Sequence, residues 1–187
     1  MTPSIKPWFP IRTERLVLRD FRETDFEDVQ AYGSDPEVTR YMVWGPNAPD
    51  DTRAFLARAL AQQTARPRLE FGFAIEHAET GHVIGSAALH LREGPNRPVE
   101  LGYCLHREWW RQGLVTEAAS ALIDAGFRTL GLHRIAATCD VRNVGSFGVM
   151  EKLGMRREGH LREDRQVKGE WCDSYIYAVL ADEWSRR

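Results

Sequence analysis

The sequence predicts an α/β protein built around one mixed sheet. Segments in which apolar and polar residues alternate, the mark of half-buried strands, come early, and helix, strand, helix, strand follow in turn. No Ser- or Gly-rich linker and no repeat divides the 187 residues, a length that suits one well-cored body and is short for two. Hydrophobic residues at 43% and charged residues at 28% are ordinary for a globular chain.

The elements follow in order. A proline-marked arm, residues 1–11, precedes a domain expected over residues 12–187. "RLVLRDF" (15–21) alternates as a strand, and Thr24 and Glu27 have the spacing of a capping box for a helix that fades near Gly33. "DPE" (35–37) puts Asp35 at an N-cap and Pro36 at a first helical position. After the loop "MVWGPNAPDD", residues 52–65 read as an alanine-rich helix. Strands are expected at 70–76, 82–91 and 99–105, with Val83, Gly85, Ala87, Leu89 and Leu91 sharing one face. Val115, Ala118, Leu122 and Ala125 stripe a helix over 114–130. A strand at 134–140, a helix over 143–154 ended by Gly154, and a last strand at 174–180 complete the order, with the charged run 162–171 read as a solvated hairpin tip.

Composition excludes several classes. A net charge of −2 supplies no basic field for a nucleic-acid backbone. The opening "MTPSIKPWFP" lacks the apolar core of a signal peptide, and no run reaches the length of a membrane span. Cys104, Cys139 and Cys172, odd in number and scattered, suit reduced thiols, so a cytoplasmic protein without nucleic-acid or membrane partners is expected. No CxxC, no HExxH and no histidine pair at helical spacing points to a metal.

"WWRQGLVTEA" (109–118) carries the first chemical signal. The first turn of a helix exposes unpaired N–H groups at the positive end of the macrodipole, which attracts an anion. Gly113 has no side chain to block a phosphate approaching the backbone, Arg111 adds charge, and Thr116 adds a hydroxyl. A glycine before a helix also occurs for conformational reasons alone. Leu114 after Gly113 excludes a nucleotide-triphosphate loop, and no GxGxxG follows a strand. "GSFG" (145–148) matches the GxxG of an RNA-binding loop but lacks flanking basic residues.

"VELGYCLHREWWRQGLVTEA" followed by "AATCDVRNVGSFGVMEKLGM" resembles the GNAT superfamily of acetyl-coenzyme A N-acetyltransferases, in particular its ribosomal-protein N-terminal acetyltransferase branch. "TERLVLRDF", "GHVIGSAAL" and "WCDSYIYAVLADEW" extend the resemblance over roughly residues 12 to 184. It implies a twisted, mostly antiparallel mixed sheet flanked by helices and splayed where acetyl-coenzyme A enters. It also implies that the backbone from Trp110 through Arg111, Gly113, Leu114 and Val115 to Thr116 cradles the pyrophosphate. The strand ending in Cys104 and Leu105 would lie along the pantetheine arm, Asn143 would contact that arm, and Ser146 would stand near the sulfur. Three positions depart from the family's pattern: Val115 replaces a small residue, Met155 a phenylalanine, and Met150 the tyrosine that often serves as general acid.

The implied reaction is direct attack of a primary amine on the thioester. Backbone N–H groups stabilise the developing oxyanion, and a thiolate, from a thiol with a pKa of about 8.5, leaves with modest help. Ser146 is the expected hydrogen-bond donor to that sulfur, and Glu100 the expected base, acting through water. Cys104 and Cys139 are expected in the core rather than as nucleophiles, and Tyr41 and Trp44 either line the acceptor channel or pack as a lid. A protein N-terminus is the expected acceptor by resemblance, a small-molecule amine the second reading, and a non-catalytic coenzyme A-binding module the third. Pairing of two copies as a homodimer is compatible with all of them.

Overall fold

The computed structural model describes residues 9–92 and 99–186. Residues 1–8 of the expected arm lie outside them; Phe9 packs its ring 5.6 Å from that of Phe73. The chain then forms β1 (Ile11–Arg12), β2 (Leu16–Arg19), α1 (Phe26–Gly33), α2 (Pro49–Thr64), β3 (Glu70–His77), β4 (Val83–Leu91) and β5 (Val99–Leu105). It continues through α3 (Leu114–Leu130), β6 (Arg134–Asp140), α4 (Val144–Lys152), β7 (Arg156–Val167), β8 (Glu170–Leu180) and a short α5 (Ala181–Trp184). The eight strands make one sheet in the order β1-β2-β3-β4-β5-β6-β8-β7, antiparallel except between β5 and β6. The mixed, mostly antiparallel α/β fold is therefore present.

Alternation along the strands divides the interior into two layers. Phe73, Ile75, Leu89, Leu101 and Leu105 turn to the face covered by α3, whose Leu114, Ala118, Leu122 and Ile123 are buried against them. Ala74 and Cys104, one residue out of phase, turn to the opposite face and meet Val29 and Tyr32 of α1 and Leu56 of α2. Val83 was expected with Leu89 but packs in the second layer. Ile75 pairs with Gly85 while Glu76 pairs with Val83, so Ile84 is an extra residue and reverses the facing of what precedes it.

Other expectations need correction. A 3-10 turn (Glu23–Asp25) leads into α1, and the start of α1 carries no box of Thr24 and Glu27. The Asp25 carboxylate accepts the Arg22 N–H (2.8 Å) and a two-pronged bond from Arg19 (2.8 and 2.9 Å), a pair whose charges compensate each other in the interior. Asp35 and Pro36 begin only one turn, closed by the Thr39 amide on the Asp35 carbonyl (3.1 Å). α2 starts three residues earlier than expected, with Pro49 at its first position and Asp51 accepting the Ala48 N–H (2.9 Å). The charged stretch 156–167 is an entire strand. β7 lies at the sheet edge, is mostly exposed and pairs only with β8, so its ladder forms without an apolar face.

The turn between β1 and β2 is fastened to the head of α3. The Glu117 carboxylate accepts from the Thr13 hydroxyl (2.6 Å), the Arg15 amide (3.0 Å) and Arg15 Nε (2.8 Å), while Arg15 Nη1 donates to the Gln112 carbonyl (3.0 Å). Burial works to raise the Glu117 pKa, but the bonds from Thr13 and Arg15 outweigh it and hold the carboxyl below its ordinary value. A carboxylate so depressed stabilises the fold above its unfolded pKa of about 4.3, and that contribution is lost as pH falls through the lower folded value. Glu117→Ala is expected to reduce unfolding free energy by about 1–2 kcal/mol at neutral pH. In urea titrations the gap between wild type and variant should narrow as pH drops below about 4; a gap independent of pH would contradict the assignment.

Candidate active site

The parallel pair at the centre of the sheet is incomplete. β5 and β6 pair only at Glu100 and Ala136, near their starts, and their carboxyl ends diverge. On its other edge β5 is fully paired with β4 from Val99 to Leu105. The His106 amide bonds the Ile84 carbonyl (2.8 Å), which fixes the alternation: the amides of Tyr103 and Leu105 face the gap, and that of Cys104 belongs to the β4 ladder. The gap is thus lined on one side by strand amides that have no ladder partner on β6.

Two helices begin beside this opening. After β5, a single 3-10 turn (Arg107–Trp109) leads to Arg111 (φ 61) and Gly113 (φ 77), both in the left-handed region. That conformation is natural only for glycine, and it reverses the chain into α3. The first intrahelical bond at the head of α3 is from the Glu117 amide to the Gly113 carbonyl (3.0 Å), so the amides of Leu114, Val115 and Thr116 point out of the helix end. The Leu114 side chain is buried in the core and Val115 packs on its rim, so both offer backbone only. Trp110 is 43% exposed and its indole N–H donates to the Leu105 carbonyl (2.7 Å), locking the loop to the end of β5. Arg111 is exposed, and the Arg15 guanidinium lies beside Gly113. A 17-residue helix presenting free amides with two arginines nearby fits the diphosphate of coenzyme A.

The second helix, α4, starts at Asn143, whose Oδ1 accepts the Ser146 amide (3.1 Å). Asn143 and Ser146 are therefore a cap and its partner in the first turn of one helix. The cap uses the amide oxygen of Asn143 and leaves its NH2 group for other partners. Tyr103, which sequence reasoning missed, spans the gap. Its hydroxyl donates to the Ser146 carbonyl (2.9 Å) and lies 3.3 Å from Ser146 Oγ. Burial pushes the Tyr103 phenol well above the usual tyrosine range, against the pull of Ser146. Met150 and Met155 are buried in the core. No tyrosine was expected here because the family's usual position holds Met150; the signal was the aromatic in "LGYCL", at the gap side of the strand.

On the opposite face, a cavity of about 880 Å³ opens between α1, α2, their connecting loop and β3–β5. Phe21, Met42, Trp44 and Phe55 form apolar walls, and Ser86, Gly102 and Cys104 lie along its floor. Trp44 thus lines the cavity. Tyr41 instead stacks under the guanidinium of Arg142, 5.7 Å away. The tip of the β7–β8 hairpin is also tied in, with Lys168 Nζ donating to the Thr39 carbonyl (2.7 Å), which corrects its reading as a merely solvated turn. Glu100 sits where β5 and β6 are joined, accepting the Thr138 hydroxyl (2.6 Å). Beside it on β4 is His90, register partner of both Glu100 and Glu70, with Nδ1 bonded to the Glu70 carboxylate. Cys104 and Cys139 are buried thiols, as expected; burial raises both, Cys139 to about 11, so neither is a thiolate at neutral pH.

Two surfaces therefore meet at β5: a phosphate-ready gap on one side and a walled cavity on the other. A family model described as an acetyltransferase (GNAT) domain matches residues 15–156. The uncharacterized N-acetyltransferase YnaD of Bacillus subtilis is 33% identical over 175 residues, covering 94% of this chain and 99% of that protein. The [ribosomal protein uS5]-alanine N-acetyltransferase of Escherichia coli is 28% identical over 116 residues, covering 62% of this chain and 60% of its own. The crystal structure of a GNAT-family acetyltransferase from Bacillus anthracis superimposes with a TM-score of 0.82 at 34% identity, covering 92% of this chain and 99% of that one. With the opened parallel pair, the helix end at Gly113 and a match running through both, the chain belongs to the GNAT family and is an acetyl-coenzyme A-dependent N-acetyltransferase.

Proposed function

We propose that the enzyme acetylates the α-amino group of a protein N-terminus by direct attack. The observation that carries this reading is the cavity of about 880 Å³ whose floor is β5 itself, so an amine entering from the α1–α2 side reaches the strand that also borders the gap. The ribosomal-protein enzyme among the relatives favours a protein acceptor. An α-amine titrates near 8 and a lysine-type amine near 10.4, so the former is neutral more often at the moment of attack.

Bound acetyl-coenzyme A supplies the acetyl thioester; the rest is positioning by this chain. The free amides of Leu114, Val115 and Thr116, with Arg111, hold the diphosphate. Tyr103 and Leu105 offer strand amides to the charge that develops on the carbonyl oxygen. Cys104 shapes the floor through its side chain, and the NH2 group of Asn143 takes a pantetheine carbonyl. Ser146 donates to the departing sulfur. Tyr103, its phenol held high by burial, is a poorer proton source than the thiol it would serve, so it acts by keeping Ser146 in place.

Gly113→Glu should weaken acetyl-coenzyme A binding about tenfold or more, since it adds a like charge and forces a side chain into the left-handed region. Arg111→Ala should cost less than about fivefold, as an exposed cation does. Calorimetric titration separates the two, and unchanged affinity in a folded Gly113→Glu protein removes the diphosphate assignment.

Ser146→Ala should lower kcat by about ten- to a hundredfold with near-normal cofactor affinity, the low end for a proton-donating group because thiolate leaves readily. Asn143→Ala should lower affinity and turnover together and also loosen the start of α4. Steady-state thiol release beside titration distinguishes these patterns. Thiol release with alanine- or serine-initiated peptides supports the acceptor assignment; release only with polyamines or amino sugars replaces it, and binding without release with any amine leaves a coenzyme A-binding module.

A further inference from the structure

The mouth of the cavity holds a histidine–carboxylate pair that the reaction as described leaves idle. Glu70 of β3, His90 of β4 and Glu100 of β5 are register partners in successive antiparallel strands, so their side chains stand in one row on the same sheet face. The Glu70 carboxylate bonds His90 Nδ1, which directs the other ring nitrogen, Nε2, away from Glu70. That nitrogen lies over Gly102: a Cβ built on Gly102 would come within 3.3 Å of His90 Nε2. Glu70, His90 and Gly102 all line the cavity. The absent side chain at residue 102 is therefore what leaves the ring nitrogen a clear line onto β5. Glu100, the base expected from sequence, already accepts the Thr138 hydroxyl and lies on the far side of His90 from Glu70.

We propose that His90, oriented by Glu70, is the base that takes the proton from the acceptor amine. This rests on the acetyl-transfer reading above and refines it. The ammonium form of the acceptor gives its proton to Nε2, and the freed nitrogen pair bonds the acetyl carbon. The carbon–sulfur bond breaks with its electron pair on sulfur, and the thiolate, hydrogen-bonded by the Ser146 hydroxyl, takes up a proton from water. The amide nitrogen sheds its second proton to water, and the imidazolium returns its own through the cavity mouth, where His90 is about half exposed. Glu70 and Glu100 flank the imidazole from the neighbouring strands, and Asp51 and Arg58 of α2 line the same cavity. The Glu70 carboxylate at the cavity favours an incoming cation. A neutral base removes a proton more readily from an α-amine, near 8, than from an alkylamine, near 10.4. The row thus selects by acidity: amines that ionise weakly are the acceptors it serves.

The test is thiol release from acetyl-coenzyme A with an alanine-initiated peptide, measured from pH about 6 to about 10 to span imidazole and amine titration. His90→Gln should lower kcat about 10²- to 10³-fold at neutral pH, with the deficit shrinking as pH approaches the amine's own pKa, while calorimetry shows wild-type acetyl-coenzyme A affinity. Added imidazole should restore part of the rate in His90→Ala, which a packing role would not allow. Glu70→Gln should fall between wild type and His90→Gln. A His90→Gln enzyme with wild-type kcat and pH profile overturns the proposal and leaves acetyl transfer standing. A wild-type protein that binds acetyl-coenzyme A but releases thiol with no amine overturns acetyl transfer instead. Should His90→Gln fail to fold, Glu70→Gln and Glu100→Gln decide: the greater loss at Glu100 assigns the proton to that carboxylate and overturns the role of His90.

Discussion

A parallel strand pair that closes at one residue and then opens is the constraint around which this molecule is arranged. Unpaired strand amides buried away from water cost free energy, so a gap between two central strands persists only if something else holds its edges. On β5 the opposite edge is fully paired with β4, and the Leu105 carbonyl is taken by the Trp110 indole. On the β6 side, Asn143 caps α4, and the Tyr103 hydroxyl reaches across to Ser146 as a strut. Below the opening, Thr138 and Glu100 join the strands at the level of their one register pair. The gap is thus held at its edges by named bonds, while its strand amides have no ladder partner on β6.

Charge is used sparingly and where it fixes geometry. The buried Arg19 holds Asp25 with two bonds and Glu76 with a third at 2.5 Å, so the entry to α1 is tied to both β2 and β3. Glu117 performs the corresponding service at the head of α3. Because the Gly113 turn hangs between this anchor and the Trp110 lock, its left-handed backbone is braced from both sides. Helix-end binding needs that rigidity, since amides that must reorganise lose much of their attraction for an anion.

The elements with an apolar rhythm were legible in the sequence: β3 to β6 and α3 fall within a residue or so of their expected bounds. Those bounds follow from burial on one face or both, which composition records. β7 was not legible, because an exposed edge strand owes its ladder to β8 and carries no alternation of its own. The box of Thr24 and Glu27 was misread because a 3-10 turn (Glu23–Asp25) precedes α1, closed by Asp25 on the Arg22 N–H while paired with Arg19, a tertiary contact that no local spacing displays. At the candidate site, the helix end at Gly113 and the cap at Asn143 could be found from local sequence. Tyr103 and the Glu70–His90–Glu100 row could not, since cross-strand neighbours are set by register, and the bulge at Ile84 makes register unreadable from spacing alone.

The bond from Lys168 to the Thr39 carbonyl has a consequence for how such an enzyme changes its preferences. The loop that carries Trp44 over the cavity is held from outside by the tip of a hairpin whose strands take no part in the gap. Lengthening or shortening that tip would move the cavity wall while leaving the helix end at Gly113 untouched. With the cavity taking the acceptor, as proposed, acceptor choice and donor binding are mechanically separable, and a lineage could exchange one amine for another by editing a surface turn.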